Sequence, residues 1–100
     1  MKKTSYTMRS KIVPYPGMGG WHFLVLPKVQ SETIQKNFSQ AKRGWGSLPV
    51  SVTLGKTVWK TSIFPDKKSG TYLLPIKAEV RRKEDVRAGE TVSFTITLMA

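Results

Sequence analysis

The 100-residue sequence predicts an all-β domain, mainly β with two short helices, that closes into a barrel with an internal pseudo-two-fold repeat. Three observations favour this fold class. Apolar and polar residues alternate over several short segments, turn-forming Gly and Pro residues separate those segments, and one order of elements occurs twice. One hundred residues is the size of one domain, so we expect a single domain over residues 1–100.

The predicted strands are the segments in which apolar and polar residues alternate. In Thr91–Leu98 the apolar side chains occupy one face and hydroxyl side chains the other, which is typical of a half-buried strand. Val50–Leu54 alternates in the same way, and a short Gly55-Lys56 turn would join it to a strand over Thr57–Phe64 as a hairpin. The other predicted strands are Tyr6–Val13, Trp21–Leu26 and Thr71–Leu74.

Two short segments are predicted to be helical. In the first, Ser31 is a suitable N-cap, and an acidic residue follows it in the first turn, where the helix dipole favours negative charge. Ile34, Phe38 and Ala41 are spaced i, i+4 and i+7 and would form one apolar stripe. The second predicted helix is Lys77–Lys83, in which the apolar residues at positions 78 and 80 would be buried.

The order of elements in the first half of the chain recurs in the second half. Each half runs through an aromatic strand, a Leu-Pro pair, a short helix, a glycine turn and a strand containing Val-Ser-x-Thr, over approximately residues 20–56 and 70–98. Each half alone would leave an apolar face uncovered, so the two halves must pack on each other. We therefore expect the halves to superpose, with Pro27 on Pro75.

The net charge is the one unusual bulk property. Seventeen Lys and Arg residues against six Asp and Glu give +11, a charge that attracts polyanions and also increases solubility. The chain contains no Cys, which excludes disulfides and thiolate metal sites. The longest apolar stretch, Phe23–Leu26, is too short to cross a bilayer, and we expect a cytoplasmic protein.

Several short motifs, in order along the chain, resemble those of one protein family. They are Trp21-His22-Phe23, Leu26-Pro27-Lys28, Arg43-Gly44-Trp45-Gly46, Trp59-Lys60-Thr61-Ser62-Ile63-Phe64-Pro65 and Tyr72-Leu73-Leu74-Pro75-Ile76-Lys77. The segment Ala88-Gly89-Glu90-Thr91-Val92 resembles the family's closing Gly-Asp-x-Val element, with Glu in place of Asp. On these motifs the chain resembles the family catalogued as domain of unknown function 1905 over nearly its whole length from about Tyr6.

The resemblance implies a fold rather than an activity. The family is similar in fold to the double-split β-barrels, which include the AbrB and MazE DNA-binding proteins, so a closed double-split β-barrel is expected. The segment from Leu74 to Val92 also resembles the half-barrel that AbrB-like proteins use as a dimer. The family's activity is unassigned, and some relatives carry this module beside a domain associated with bacteriocin protection.

No catalytic group of residues is evident, and we expect no enzyme, no cofactor and no metal site. His22 is the only histidine, and a lone His without Cys or a nearby acid pair cannot form a metal site. Glu84 and Asp85 are adjacent in a basic stretch. Carboxylates paired only by the fold would be invisible in the sequence, and nothing in it favours them.

Two groups of residues are candidate binding sites. The candidate anion or nucleic-acid site comprises Lys77, Arg81, Arg82 and Lys83, with Lys28, Lys42 and Arg43 at the matching place in the first half. The alternative interpretation is a solvated surface helix screened by acidic neighbours. The candidate ligand loop comprises Trp45, which lies between two glycines, and Trp59. If either ring lined an open pocket, ligand binding would be favoured; burial of both would favour a packing role.

We therefore expect a non-enzymatic binding module, as a monomer or weak homodimer, whose basic surface meets nucleic acid or another polyanion. The alternative is a small-molecule or peptide-binding barrel that acts as an accessory to a stress-protection or bacteriocin-protection system. No membrane partner is expected.

Overall fold

The computed structural model describes residues 4–14, 20–38 and 46–98. Within these residues the elements are β1 (Thr4–Pro14), β2 (His22–Val25), α1 (Lys28–Asn37), β3 (Leu48–Leu54), β4 (Thr57–Asp66), β5 (Thr71–Pro75), α2 (Ala78–Glu84) and β6 (Thr91–Leu98). The strands form a closed antiparallel barrel in the order β1-β2-β5-β4-β3-β6. The predicted mainly β fold, a closed barrel with two short helices, is confirmed.

The strand order is symmetric under exchange of the two halves. Replacing β1, β2 and β3 by β4, β5 and β6, and the reverse, reproduces the same set of neighbouring strands. Among the strand pairs that join the two halves, β2–β5 places Val25 opposite Leu73 and β3–β6 places Thr53 opposite Thr95. The repeat alignment of the sequence matches these same residues to each other. Superposition of the halves stays a prediction that this topology favours.

The alternating residues of the strands fill the barrel interior. The largest fully buried side chains are Ile12, Leu24, Leu26, Ile34, Leu48, Ile63, Leu74, Ile76, Ile96, Leu98, Val50 and Val52. On the outer face of β6, hydroxyl side chains pair with those of β1, Ser5 with Thr97 and Thr7 with Thr95, both at 2.9 Å between oxygens. The period-2 pattern thus separates an apolar interior from a hydrogen-bonded polar exterior.

The hairpin turn between β3 and β4 is fastened to the end of α2. Gly55 has a φ of +59°, which a two-residue hairpin with Gly first requires. The Glu84 carboxylate, at the last residue of α2, accepts hydrogen bonds from the Lys56 N–H at 3.3 Å and the Thr57 hydroxyl at 2.5 Å. This contact holds α2 against the barrel wall.

The prediction that Ser31 caps α1 is wrong. The helix begins at Lys28, directly after Pro27, because proline has the φ angle of a first helical turn and cannot continue the strand ladder. Ser31 lies inside the helix with only 1% of its surface exposed. Its hydroxyl donates to the Leu26 carbonyl at 3.4 Å and accepts the Tyr72 N–H at 3.1 Å, so it joins α1 to β5.

Other boundaries also differ from the prediction. Residue 78, expected to be buried beside Val80, is exposed, and β4 continues through Pro65 and Asp66, which were expected in the loop. Ala41 lies outside the described residues.

Replacing Ser31 by Ala is expected to lower the free energy of unfolding by about 1–3 kcal/mol, because the buried Tyr72 N–H loses its acceptor. The comparison variant is Ser93→Ala, which removes an exposed hydroxyl on β6 and should change stability by no more than about 0.5 kcal/mol. Urea denaturation measures both. Equal stabilities of the two variants would contradict a structural role for the Ser31 hydroxyl.

Candidate functional site

A cavity of about 440 Å³ opens where the segment before β2 meets the start of α2. Its lining residues are Gly20, Trp21, His22, Thr61, Phe64, Pro75, Ile76, Lys77, Ala78 and Arg81. The walls are mainly apolar, and the polar groups among them include two cations, Lys77 and Arg81, with no carboxylate among the described lining residues. A concave apolar site with a few convergent polar groups is the usual form of a small-molecule pocket.

The pairing of β2 with β5 positions the floor of the cavity. Phe23 is opposite Pro75 in the ladder, and the Ile76 N–H donates to the His22 carbonyl at 3.0 Å, which extends the pairing by one further hydrogen bond. The chain then enters α2, and Arg81, in the last turn of this helix, contacts His22 at the start of β2 and Gly20 just before it. Antiparallel pairing thus places two segments about fifty residues apart in the chain side by side.

Three polar groups form a chain beside the cavity. Nη1 of Arg81 lies 3.4 Å from Nε2 of His22, and Nδ1 of His22 lies 2.7 Å from the Gly20 carbonyl oxygen. Because a guanidinium only donates, His22 accepts through Nε2 and carries its proton on Nδ1, which donates to Gly20. Nη2 of Arg81 also donates to the Gly20 carbonyl, at 3.5 Å. The two terminal nitrogens of Arg81 therefore each have one long contact at or just before the start of β2.

The Arg81 guanidinium keeps an unused donor. Its Nε is buried and has no hydrogen-bond partner within the described residues. A buried unpaired donor costs about 1–3 kcal/mol, and more where the group is charged.

Two aromatic rings border the cavity while remaining open to solvent. Trp21 is 52% exposed and Phe64 is 42% exposed. The Trp21 ring is braced by Phe23, with 6.0 Å between ring centroids and 25° between ring planes. Aromatic rings of this size are commonly buried, so two exposed ones beside one cavity mark a surface suited to contact with a ligand.

The structure divides the four cations predicted on α2. Lys77 and Arg81 line the cavity, Arg82 is exposed, and the Lys83 ammonium pairs with Glu79 at 3.5 Å on the exposed surface. Of their counterparts in the first half, Lys28 alone falls within the described residues. Lys28 is exposed at the start of α1, and Lys42 and Arg43 lie outside the described residues.

The structure describes one of the two predicted ligand-loop tryptophans, and it does not line this cavity. Trp59 is half-buried, packs against the core and is not among the lining residues, and Trp45 lies outside the described residues. The sequence interpretation missed Trp21 and Phe64 as lining residues and His22 as the partner of Arg81. The internal repeat could have predicted this neighbourhood. If the two equivalent strands, β2 and β5, pair antiparallel, the residues before β2 lie beside the residues after β5.

Residues 4–14, 20–38 and 46–98 were predicted to hold no metal site and no membrane-spanning segment. There, no group of three or more His, Cys, Asp or Glu side chains could hold a metal ion. Neither α1 nor α2, the helices of the described part, has the length and apolar character needed to cross a membrane. Burial raises the pKa of the Tyr72 hydroxyl, which lies in the core and does not line the cavity.

The fold and the cavity together define a small, closed antiparallel β-barrel protein with one face built around an oriented arginine. The family model described as Domain of unknown function (DUF1905) matches residues 9–96, and the chain belongs to that family. The resemblance read from the motifs is thereby confirmed. Among curated proteins, none matches this sequence.

Proposed function

We propose that this protein is a non-enzymatic binding module that takes a small organic anion into the cavity beside α2. The observation that carries the proposal is the Arg81 side chain, which lines a mainly apolar cavity and contacts His22 and the Gly20 carbonyl. Arginine suits this task because its planar fork matches the oxygens of a carboxylate or phosphate.

Preorganisation favours binding in this cavity. The contacts to His22 and Gly20 restrict the Arg81 side chain before a ligand arrives, so less conformational entropy is lost on binding. The apolar walls lower the local dielectric constant, which strengthens the attraction between the guanidinium and an anion. Lys77 adds a second positive charge at the rim.

The position of His22 favours binding over proton transfer. A general base needs a free ring nitrogen facing the substrate. The Nε2 atom of His22 instead accepts from Arg81, and Nδ1 donates to a backbone carbonyl. We therefore assign His22 the role of a positioning residue for Arg81.

The test is an NMR titration with 1-naphthoate and with its neutral amide, 1-naphthamide. The acid should bind with a Kd of about 1 mM or tighter, the affinity that ~0.3 kcal/mol per heavy atom gives a ligand of this size. The amide has the same shape without the charge and should bind at least about tenfold more weakly, a difference of ~1.4 kcal/mol. Equal binding of the two compounds, or no binding of either, would refute the proposal.

Nucleic-acid binding is a second candidate. It is favoured because several carboxylates form hydrogen bonds within the protein instead of pairing with surface cations. Glu84 bonds to the β3–β4 turn, Asp66 accepts from the Ser69 hydroxyl at 2.8 Å, and Glu90 accepts the Arg87 N–H at 2.5 Å. Within the described residues, the one ion pair joins Lys83 to Glu79. Three carboxylates thus serve local structure and one pairs with Lys83, which leaves the other cations of the described residues without a carboxylate partner and open to phosphates.

If the protein binds nucleic acid, the salt dependence of its affinity shows which cations contact phosphates. Replacing Lys77 and Arg82 together by Gln should reduce the slope of log K against log salt by about two, if each meets one phosphate. Arg81→Gln should leave the slope unchanged, because that guanidinium is engaged beside the cavity. The measurement is a titration of a labelled mixed-sequence duplex at two salt concentrations. Absence of binding at ~50 mM salt with micromolar protein would remove this candidate, since non-specific affinity tightens as salt falls.

A further inference from the structure

We propose that the ligand of this cavity is a planar aromatic acid, with its ring on Trp21 and Phe64 and its anionic group on Arg81. This inference rests on the proposed function and adds the chemical class of the ligand. It draws on the two exposed rings, which binding of an anion alone would not require.

The Trp21 indole packs against one neighbouring ring and remains exposed enough to stack on another. Phe23 packs against it at a centroid distance of 6.0 Å and a small interplanar angle of 25°, yet 52% of the Trp21 surface stays exposed. Trp21 also lines the cavity, whereas Phe23 does not. A ring braced on one side loses little freedom when a second ring stacks on it, and each such contact contributes about 0.5–1.5 kcal/mol beyond burial of its area.

The second ring, Phe64, reaches the same cavity from the other side of β5. In the barrel β5 lies between β2 and β4, and its end, at Pro75 and Ile76, forms part of the cavity lining. Trp21 precedes β2, and Phe64 belongs to β4, where it is opposite Leu73. Two rings from opposite sides of β5 thus line one mainly apolar cavity, and a flat ring offers both of them a face to pack against.

The charged end of the site suits an oxyanion with two oxygens. The Nε and Nη2 groups lie on one edge of a guanidinium, and that edge accepts a carboxylate or phosphate side-on. In Arg81 the Nε is buried and unpaired, and the Nη2 contact to Gly20 is long at 3.5 Å. A ligand oxyanion in the cavity would compete readily for the Nη2 donor.

The experiment compares 1-naphthoate with decahydro-1-naphthoate, its saturated analogue, against the full chain by NMR titration. Both carry the carboxylate, but only the first has a flat π ring. We expect the wild type to bind 1-naphthoate at least about tenfold more tightly than the saturated acid, because only the aromatic ring can stack on both Trp21 and Phe64. In Trp21→Leu this ratio should fall to about two, and in Trp21→Phe it should largely return. Trp21 is half exposed, so neither variant removes a core side chain.

Two further ligands distinguish a nucleotide from an aromatic carboxylate as the aromatic acid that binds. Adenosine monophosphate is compared with ribose 5-phosphate, which has the phosphate without the base. Preference for adenosine monophosphate over both ribose 5-phosphate and naphthoate would support a nucleotide ligand, and preference for naphthoate would support an aromatic carboxylate. Both outcomes require the ring.

The outcomes separate this inference from the proposed function. If both naphthoates bind equally and Arg81→Gln weakens both, the anion site stands and the aromatic inference is overturned. A preference for the aromatic acid that survives in Trp21→Leu also overturns it. If neither acid binds, the proposed function and the inference fail together.

Discussion

Arg81→Gln is expected to weaken the binding of 1-naphthoate by about 30-fold or more, which corresponds to ~2 kcal/mol. The glutamine side chain keeps a polar end but loses the positive charge and the planar fork. It also loses the contacts to His22 Nε2 and the Gly20 carbonyl through which the guanidinium is oriented. The measurement is the same NMR titration, with 1-naphthamide as the uncharged ligand.

Arg82→Gln is the matched control for that experiment. It removes the same charge from the neighbouring position of α2, but Arg82 is exposed and does not line the cavity. We expect its effect to stay within about threefold, because a solvated surface charge acts only through a screened field. Binding of the neutral amide should change little in either variant. Equal losses in the two variants would show that naphthoate responds to net charge and that Arg81 forms no site.

The barrel could be predicted from the sequence because the signals that define it are local. In β6 adjacent residues face the interior and the exterior in turn. The face predicted to be apolar is the one that is buried, at Val92, Phe94, Ile96 and Leu98. The hairpin at Gly55 was likewise predicted from its own turn residues. The periodicity of a strand is a property of its backbone and needs no knowledge of distant neighbours.

The start of α1 could not be predicted as reliably, because two local signals competed. Ser31 has the chemistry of an N-cap, but Pro27 starts the helix one turn earlier. The Ser31 hydroxyl is then used by the Tyr72 N–H, 41 residues further along the chain. The sequence shows that a hydroxyl is present, but its hydrogen-bond partner depends on the fold.

The candidate site was predicted in part. Its key cation, Arg81, was included among the charged residues of the second helix, but composition gave no reason to separate it from Arg82. Their different surroundings depend on the direction each faces from α2 and on His22, which is 59 residues away. The flanking rings, Trp21 and Phe64, come together only because β5 lies between β2 and β4. Side-chain neighbours across a barrel depend on strand order, which the local pattern does not contain.

The β3–β4 turn gives the largest expected stability effect of a single methyl group. Gly55→Ala should lower the free energy of unfolding by about 2–4 kcal/mol, for two separable reasons. The φ of +59° is unfavourable for a residue with a Cβ, at about 1–2 kcal/mol. A Cβ at this position would also clash with the Glu84 carboxylate. The carboxylate would have to move and release Lys56 and Thr57, which adds about 1–2 kcal/mol.

Gly70→Ala separates these two contributions. Gly70 has a φ of +72°, but a Cβ there meets no atom within 4 Å, so only the backbone cost of about 1–2 kcal/mol is expected. In a Glu84→Ala background the cost of Gly55→Ala should fall to that of Gly70→Ala, because no carboxylate remains to be displaced. Urea denaturation of the single and double variants gives the coupling free energy directly. A coupling near zero would mean that the contact between Glu84 and the turn does not stabilise the barrel, and the cost of Gly55→Ala would then belong to the backbone alone.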